Sequence, residues 1–230
     1  KLRDGETSDT YIGLYKNKKT ILKILKTNNN AIKTNSYLDK KIYSQLVNKK
    51  LFPEVLYRSP SKEILIYEYF KSLPIKKDKL FIEKLGRQIK KIHQIKVDKR
   101  THTFEKQIEQ YKKIIKDSML ESEFKSLIEF LNISYEHNYE IAFSHNDLNK
   151  NNILFNNNIC FIDYEYASIN NIFCDISRVI DEYKLEKHEI NYLLEGYGII
   201  NKSSSLNQIK IWKKINLYLD YIWEQIIKQK

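Results

Sequence analysis

The chain has 230 residues, enough for one large domain or two small ones with a substantial buried core. It carries 40 Lys and Arg against 29 Asp and Glu, a formal net charge of +11, and only 2 cysteines. That inventory argues against a disulfide-stapled scaffold, and no apolar run is long enough to span a bilayer.

Cys160 and Cys174 lack metal-ligand spacing and read as reduced, buried thiols of a cytoplasmic protein. The opening KLRDGETSDT has no signal-peptide pattern, and a start on Lys1 rather than Met leaves room for a preceding strand. The positive charge raises the question of nucleic acid. Arginine occurs only at positions 3, 58, 87, 100 and 178, while lysines are scattered along helix faces rather than gathered in one run with aromatics. Sequence-reading proteins favour arginine, so no nucleic-acid partner is expected; a diffuse positive field would instead attract an anion such as ATP.

Residues 8–26 predict a β-hairpin, with strands over 10–15 and 20–25 and a polar turn at Lys16–Lys19. Gly5 to Asp9 before it is a small polar loop whose Thr7 and Ser8 suit a phosphate-covering segment, although no glycine-rich phosphate motif is present. Lys23 stands where a strand lysine could meet phosphates; a solvent-facing lysine is the plainer reading, and Lys26 competes with it. A loop at Asn28–Asn30 precedes a helix over 36–48 with the apolar stripe Tyr37, Ile42, Tyr43, Leu46 and Val47. Asp39 in its first turn either pairs with Lys23 or simply suits a helix N-terminus. Strands follow near Phe52–Tyr57 and over 63–70, and Glu68, Tyr69 and Phe70 form a candidate hinge whose backbone could meet an adenine edge.

Beyond Pro74 the pattern becomes helical, over 78–95 (Leu80, Phe81, Leu85, Ile89 and Ile92 apolar), 104–118 and 121–137. His93 reads as a packed helix histidine. Phe143 to Ala167, FSHNDLNKNNILFNNNICFIDYEYA, carries the sharpest chemistry. His145, Asp147 and Asn152 make H-x-D-x-x-x-x-N; Ile153–Phe155 and Ile159–Ile162 flank an Asn turn as a hairpin; Asp163 stands at its end. Phosphoryl transfer needs a carboxylate to accept a hydroxyl proton and oxygen ligands to hold Mg²⁺ against phosphates. Asp147 fits the first task, and Asn152 with Asp163 the second. Phe173 to Tyr183 follows a loop, then a helix over 186–197 ending near Gly196 and Gly198, and a long helix over 207–228 bearing Trp212, Tyr218, Tyr221 and Trp223.

HNDLNKNNIL (145–154), FIDYEYA (161–167) and DISRVIDEY (175–183) together resemble the choline/ethanolamine kinase family of kinase-like small-molecule phosphotransferases, related to the aminoglycoside phosphotransferases. The resemblance implies an α+β, two-lobed protein-kinase-like fold, with a small β-rich N-lobe over 1–70 and a larger helical C-lobe over 71–230. It implies ATP and Mg²⁺ as cofactors. Asp147 would be the catalytic base, with His145 bracing its loop; Asn152 and Asp163 would hold the metal with Glu165 close by; Lys23 would contact phosphates. Asp39 stands where the family has Glu. The implied acceptor is choline, whose quaternary ammonium has no N–H and is held by aromatic faces and a carboxylate. Glu182 and Tyr183 fall on the pocket acid and its aromatic neighbour, Trp223 on an aromatic of the last helix, and Tyr164 is a further candidate. Asp220 replaces a second Trp, a place Tyr218 or Tyr221 could fill, or else the pocket takes a smaller amine. The competing readings are an ethanolamine, thiamine or aminoglycoside kinase, or a non-catalytic basic binding protein.

Overall fold

The computed structural model describes residues 2–5, 7–26, 38–98, 103–114, 120–136, 140–200 and 202–228. The chain divides into two compact units, Lys1–Ile75 with Asn151–Tyr166, and Lys76–Lys150 with Ala167–Lys230. The expected division at residue 70 is continuous in sequence; these units are not, because the hairpin after the H-x-D motif groups with the N-terminal sheet.

The first unit is built on a five-stranded antiparallel sheet. Its strands are β1 (Arg3–Asp4), β2 (Ser8–Tyr15), β3 (Lys18–Leu25), β4 (Val55–Ser59) and β5 (Ile64–Glu68), in the order β1-β2-β3-β5-β4. Lys16 and Asn17 both adopt positive φ, 49° and 62°, which gives the two-residue turn whose twist matches that of paired strands. The resulting register sets Thr10 opposite Lys23 and Ile12 opposite Ile21; across β5, Ile21 faces Tyr67 and Lys23 faces Leu65. Helix α1 (Lys40–Asn48) buries Ile42, Tyr43 and Leu46. Ser36, Tyr37 and the loop at 28–30 lie outside the described residues. A second hairpin, β7 (Ile153–Asn156) and β8 (Asn158–Phe161), turns on Asn157 at φ 53°. It is tied to the rest of the unit by Phe161 N–H to the Leu51 carbonyl (2.8 Å) and by Leu73 N–H to the Phe155 carbonyl (2.6 Å). Phe52 lies at the centre of the core, with ring centroids 5.3 Å from Tyr43, 5.0 Å from Tyr67 and 6.0 Å from Tyr164.

The second unit holds helices α2 (Lys79–His93), α3 (Phe104–Ile114), α4 (Glu121–Tyr135), α5 (Phe173–Tyr183), α6 (Lys187–Tyr197) and α7 (Lys202–Lys228), with a two-stranded sheet of β6 (Ile141–Ser144) and β9 (Ser168–Asn171). Asp78 caps α2 by accepting the Phe81 N–H, as a side-chain oxygen does at a helix start. The α2 stripe buries Phe81, Leu85, Ile89 and Ile92; Leu80, expected among them, is 73% exposed. Its position falls off the stripe that its neighbours at three- and four-residue spacing define. Trp212 is fully buried against Phe104. Both cysteines are free and buried, and burial pushes the Cys160 thiol up to about 11, which leaves it unreactive near neutral pH.

Two glycines explain how closely α2 and α6 pack. A Cβ on Gly86 would lie 2.2 Å from the Leu193 carbonyl oxygen, and one on Gly196 would lie 2.1 Å from that of Glu83. Gly196 therefore serves packing inside α6, and the helix stop is Gly198 at φ 90°. Gly86→Ala or Gly196→Ala is expected to destabilise the protein by about 1–3 kcal/mol or more, because backbone atoms cannot move aside as a side chain would. Urea unfolding of each variant checks this.

Candidate active site

Alternation along the strands places Lys23. Ile21 and Lys23 of β3 face the same side as Thr10 of β2 and Leu65 and Tyr67 of β5, and all five line a cavity of about 600 Å³ in the sheet unit. Lys26 projects elsewhere, with its ammonium 2.7 Å from the Gly5 carbonyl and 3.4 Å from Asp9. The cavity is also lined by Tyr69, Phe70, Asn152, Asp163, Tyr164 and Glu165. Six of the sequence candidates thus share it with Lys23.

Lys23 donates to the Asp163 carboxylate and, at 3.1 Å, to that of Glu165. Burial presses the lysine toward its neutral form, but the charges of Asp163 and Glu165 outweigh it and hold the ammonium protonated. For Glu165 burial and the Asp163 charge push its carboxyl up, while Lys23 and Thr7 oppose them. Thr7 donates its hydroxyl to Glu165 at 2.8 Å, which ties the small polar loop to this cluster; Glu6 lies outside the described residues. Asp163 sits at φ 69°, a conformation uncommon for residues other than glycine, which Asp tolerates better than most. The Ile162 N–H bonds to the Asn152 carbonyl at 3.0 Å, so the base of the hairpin holds Asn152 beside the segment leading to Asp163.

Among the described residues no three or more His, Cys, Asp and Glu side chains gather as a metal cage. Two carboxylates and an amide facing one cavity are instead the hard, incomplete oxygen set that suits a Mg²⁺ shared with phosphate and water. Asp39 does not pair with Lys23. Its side chain accepts the Lys41 N–H at 2.7 Å as the N-cap of α1, and Lys23 finds its acids on the hairpin. Ser8 is buried in β2, where its carbonyl accepts the Gly5 N–H. At the hinge, Glu68 N–H bonds to the Glu54 carbonyl and Tyr69 N–H to the Lys19 carbonyl, so these two donors serve the unit itself.

In the helical unit, Asp175 organises the loop that carries Asp147. Its fully buried carboxylate accepts the backbone N–H of His145 and of Asn146, both at 2.8 Å, and faces His93 Nε2 at 3.1 Å. His93 Nδ1 meets the Tyr197 hydroxyl at 2.8 Å. His145, also fully buried, accepts the Asp147 N–H on Nδ1 at 3.3 Å. Asn146 stands at φ 64°, held by Ser168 (2.6 Å) and Asn170 (2.9 Å) of β9. The Asn149 amide donates to Asp147 Oδ1 at 3.0 Å, which fixes one oxygen and the orientation of the carboxylate.

Burial raises the Asp175 carboxyl, but the His93 hydrogen bond and the nearby histidines and backbone N–H outweigh it, and the net direction is down. A carboxylate depressed in the folded state contributes stability that is present above its unfolded value, about 3.9, and is lost as pH falls through the folded value. Unfolding free energies of the native protein should therefore fall more steeply with acidification below about pH 4 than those of Asp175→Asn. Parallel slopes in urea titrations would refute the assignment.

The acceptor candidates are only partly gathered. Glu182, near the end of α5, accepts the Lys150 N–H at 3.1 Å, so it stands beside the Asp147 loop. Tyr183 is buried against Phe81 (5.6 Å), with the Lys150 ammonium 5.4 Å from its ring centroid. Trp223 packs at 6.1 Å against Tyr111. Tyr164 belongs to the sheet unit, buried against Phe52. Asp175, His93, Tyr197 and Asn149 were not singled out as site residues from the sequence. The available signal was Asp175 itself, an acid inside the apolar run FCDIS, with His93 as a polar member of a buried helix stripe.

The fold is the two-lobed protein-kinase-like one. The chain is similar to choline kinase LicA from Streptococcus pneumoniae (TM-score 0.82, 20% identity, 100% of this chain and 85% of that one). It is also similar to the Plasmodium vivax ethanolamine kinase (0.72, 18%, 97% and 73%) and to the spectinomycin phosphotransferase APH(9)-Ia in complex with ADP and spectinomycin (0.65, 16%, 96% and 80%). No curated protein matches it in sequence. Residues 8–221 match the choline/ethanolamine kinase family, and the chain belongs to that family.

Proposed function

We propose that the chain transfers the γ-phosphate of ATP to the hydroxyl of a small amino alcohol, choline or ethanolamine. The observation that carries this reading is the cluster of Lys23, Asp163 and Glu165 facing a cavity that Asn152 also lines, in a chain of this family. Adenosine would occupy that cavity, with Tyr69 and Phe70 at its edge, and Lys23 would neutralise the phosphates. Asn152, Asp163 and Glu165 would hold Mg²⁺, which supplies charge neutralisation at the phosphates when bound.

Asp147 orients the acceptor hydroxyl and takes its proton as the new O–P bond forms and the bond to ADP breaks. His145, Asp175 and His93 hold the loop, and Asn149 aims the carboxylate. Choline is the acceptor that the sequence resemblance implies, and the likeness to a choline kinase supports it. Ethanolamine is favoured by a different observation, that the Tyr183 ring is already covered by an ammonium. ADP release should depend on added amino alcohol and on Mg²⁺, with little response to spectinomycin. Response to the aminocyclitol alone would reassign the acceptor class.

A further inference from the structure

Arg178 of α5 and Asp220 of α7 form a bidentate ion pair in the helical unit. The guanidinium grips the carboxylate through both terminal nitrogens, at 2.6 and 2.8 Å, the bidentate geometry that arginine alone offers. The arginine is largely buried, with 16% of its side chain exposed, while the Asp220 side chain is 56% exposed. Burial presses the arginine toward neutrality, but Asp220 outweighs it and keeps the cation charged.

The pair lies beside the proposed chemistry. Arg178 is one helical turn before Glu182 on α5, and residues four apart on a helix share a face. Glu182 on that face accepts the N–H of Lys150, three residues beyond Asp147. The charge of Asp147 also acts on Arg178 directly. The face of α5 turned to the Asp147 loop thus carries Arg178 and two carboxylates, the fully buried Asp175 and Glu182, with the Asp220 carboxylate of α7 paired to Arg178.

Carboxylates hold an ammonium by accepting its N–H hydrogen bonds, and here the lone pairs of Asp220 and Glu182 beyond those given to Arg178 and the Lys150 N–H would take that role. A quaternary ammonium has no N–H to give, and an exposed guanidinium–carboxylate pair offers it no aromatic face. Of the candidate rings, Tyr183 is engaged with Phe81 and the Lys150 ammonium, Trp223 with Tyr111, and Tyr218 is stacked on Phe130 at 5.9 Å, while Tyr221 is 43% exposed.

We infer that the Arg178–Asp220 pair, with Glu182, selects acceptors that carry N–H on their nitrogen, so that the preferred substrate is a primary ammonium alcohol and choline is a poor one. The inference rests on the amino-alcohol kinase reading and refines it. Hydrogen bonds to charged groups set the scale: each step of N-methylation removes a donor, and kcat/KM should fall about 10- to 100-fold from ethanolamine to choline, mostly through KM.

The test is the series ethanolamine, N-methylethanolamine, N,N-dimethylethanolamine and choline, measured with Mg·ATP on the native protein and on Asp220→Asn and Asp220→Trp. The native protein should show falling kcat/KM along the series. Asp220→Asn should raise the KM for ethanolamine about tenfold with kcat retained, which a merely structural role would not produce, and flatten the series. Asp220→Trp should move the preference toward choline, since an indole face attracts a quaternary cation. Preference for choline by the native protein, or an unchanged ethanolamine-to-choline ratio in both variants, overturns the inference and leaves the kinase reading standing. Transfer to no member of the series overturns both. Thermal melts of each variant separate lost recognition from lost folding.

Discussion

Asp147→Asn is expected to lower kcat by about 10²- to 10⁴-fold, the range that a positioned general base contributes. The amide keeps the shape of the carboxylate but cannot accept the hydroxyl proton. It can still take the Asn149 hydrogen bond through its carbonyl, so the loop should keep its conformation. The loop is fixed mainly by other contacts: the backbone of His145 and Asn146 on Asp175, and the Asn146 side chain on Ser168 and Asn170. Nucleotide affinity should change little, because the residues lining the proposed nucleotide cavity belong to the other unit. Steady-state kinetics with a fluorescent nucleotide titration reads both quantities. Near-native kcat would remove Asp147 from the role of base.

Asp163→Asn should lower kcat by about 10²- to 10³-fold, the usual cost of removing one preorganised electrostatic group, and should raise the Mg²⁺ concentration required for half-maximal rate. Its effect on stability should have the opposite sign, or be absent. In the native protein one buried lysine neutralises two carboxylates, and the Asp163 charge pushes the Glu165 carboxyl up. Removing one of the two leaves a balanced Lys23–Glu165 pair and relieves that repulsion. A variant that loses activity while keeping or raising its melting temperature would show that this cluster is maintained for chemistry at some cost to stability. A lower melting temperature together with unchanged Mg²⁺ dependence would mark Asp163 as a structural residue.

The local patterns carried much of the fold. The first hairpin followed from strand-like residues around a polar turn, the second from two apolar runs around an Asn turn, and α2, α3 and α4 from apolar spacing. Strand β9 was missed because Ser168-Ile169-Asn170-Asn171 has almost no apolar alternation; it forms by backbone pairing with β6, and its side chains go to Asn146 and to the start of α5. The extent of α7 was also understated: the polar run Lys202–Ser205 lacks apolar spacing but belongs to the helix.

The site divided along the same line. Asp147, Asn152 and Asp163 stand out as a motif because five residues and one hairpin fix their spacing. Lys23 over Lys26 could be decided only when strand parity assigned each a side, and its partners are acids 140 and 142 residues away. Asp39 was ambiguous for the same reason: a first-turn acid satisfies a helix terminus or a distant lysine, and nothing local separates the two. The aromatic acceptor residues were the weakest part. An aromatic on a helix face is equally suited to packing, and Tyr164, Tyr183 and Trp223 all have ring or ammonium partners. The Arg178–Asp220 pair, 42 residues apart, has no sequence signature.

Phosphoryl transfer to the hydroxyl of an amino alcohol can be followed at the phosphorus itself. The most direct measurement is ³¹P NMR of the protein with Mg·ATP and ethanolamine or choline. A new phosphomonoester resonance is expected to grow in step with ADP, absent without the amino alcohol and nearly absent with Asp147→Asn. ADP accompanied only by inorganic phosphate, or no turnover with either acceptor, would contradict it.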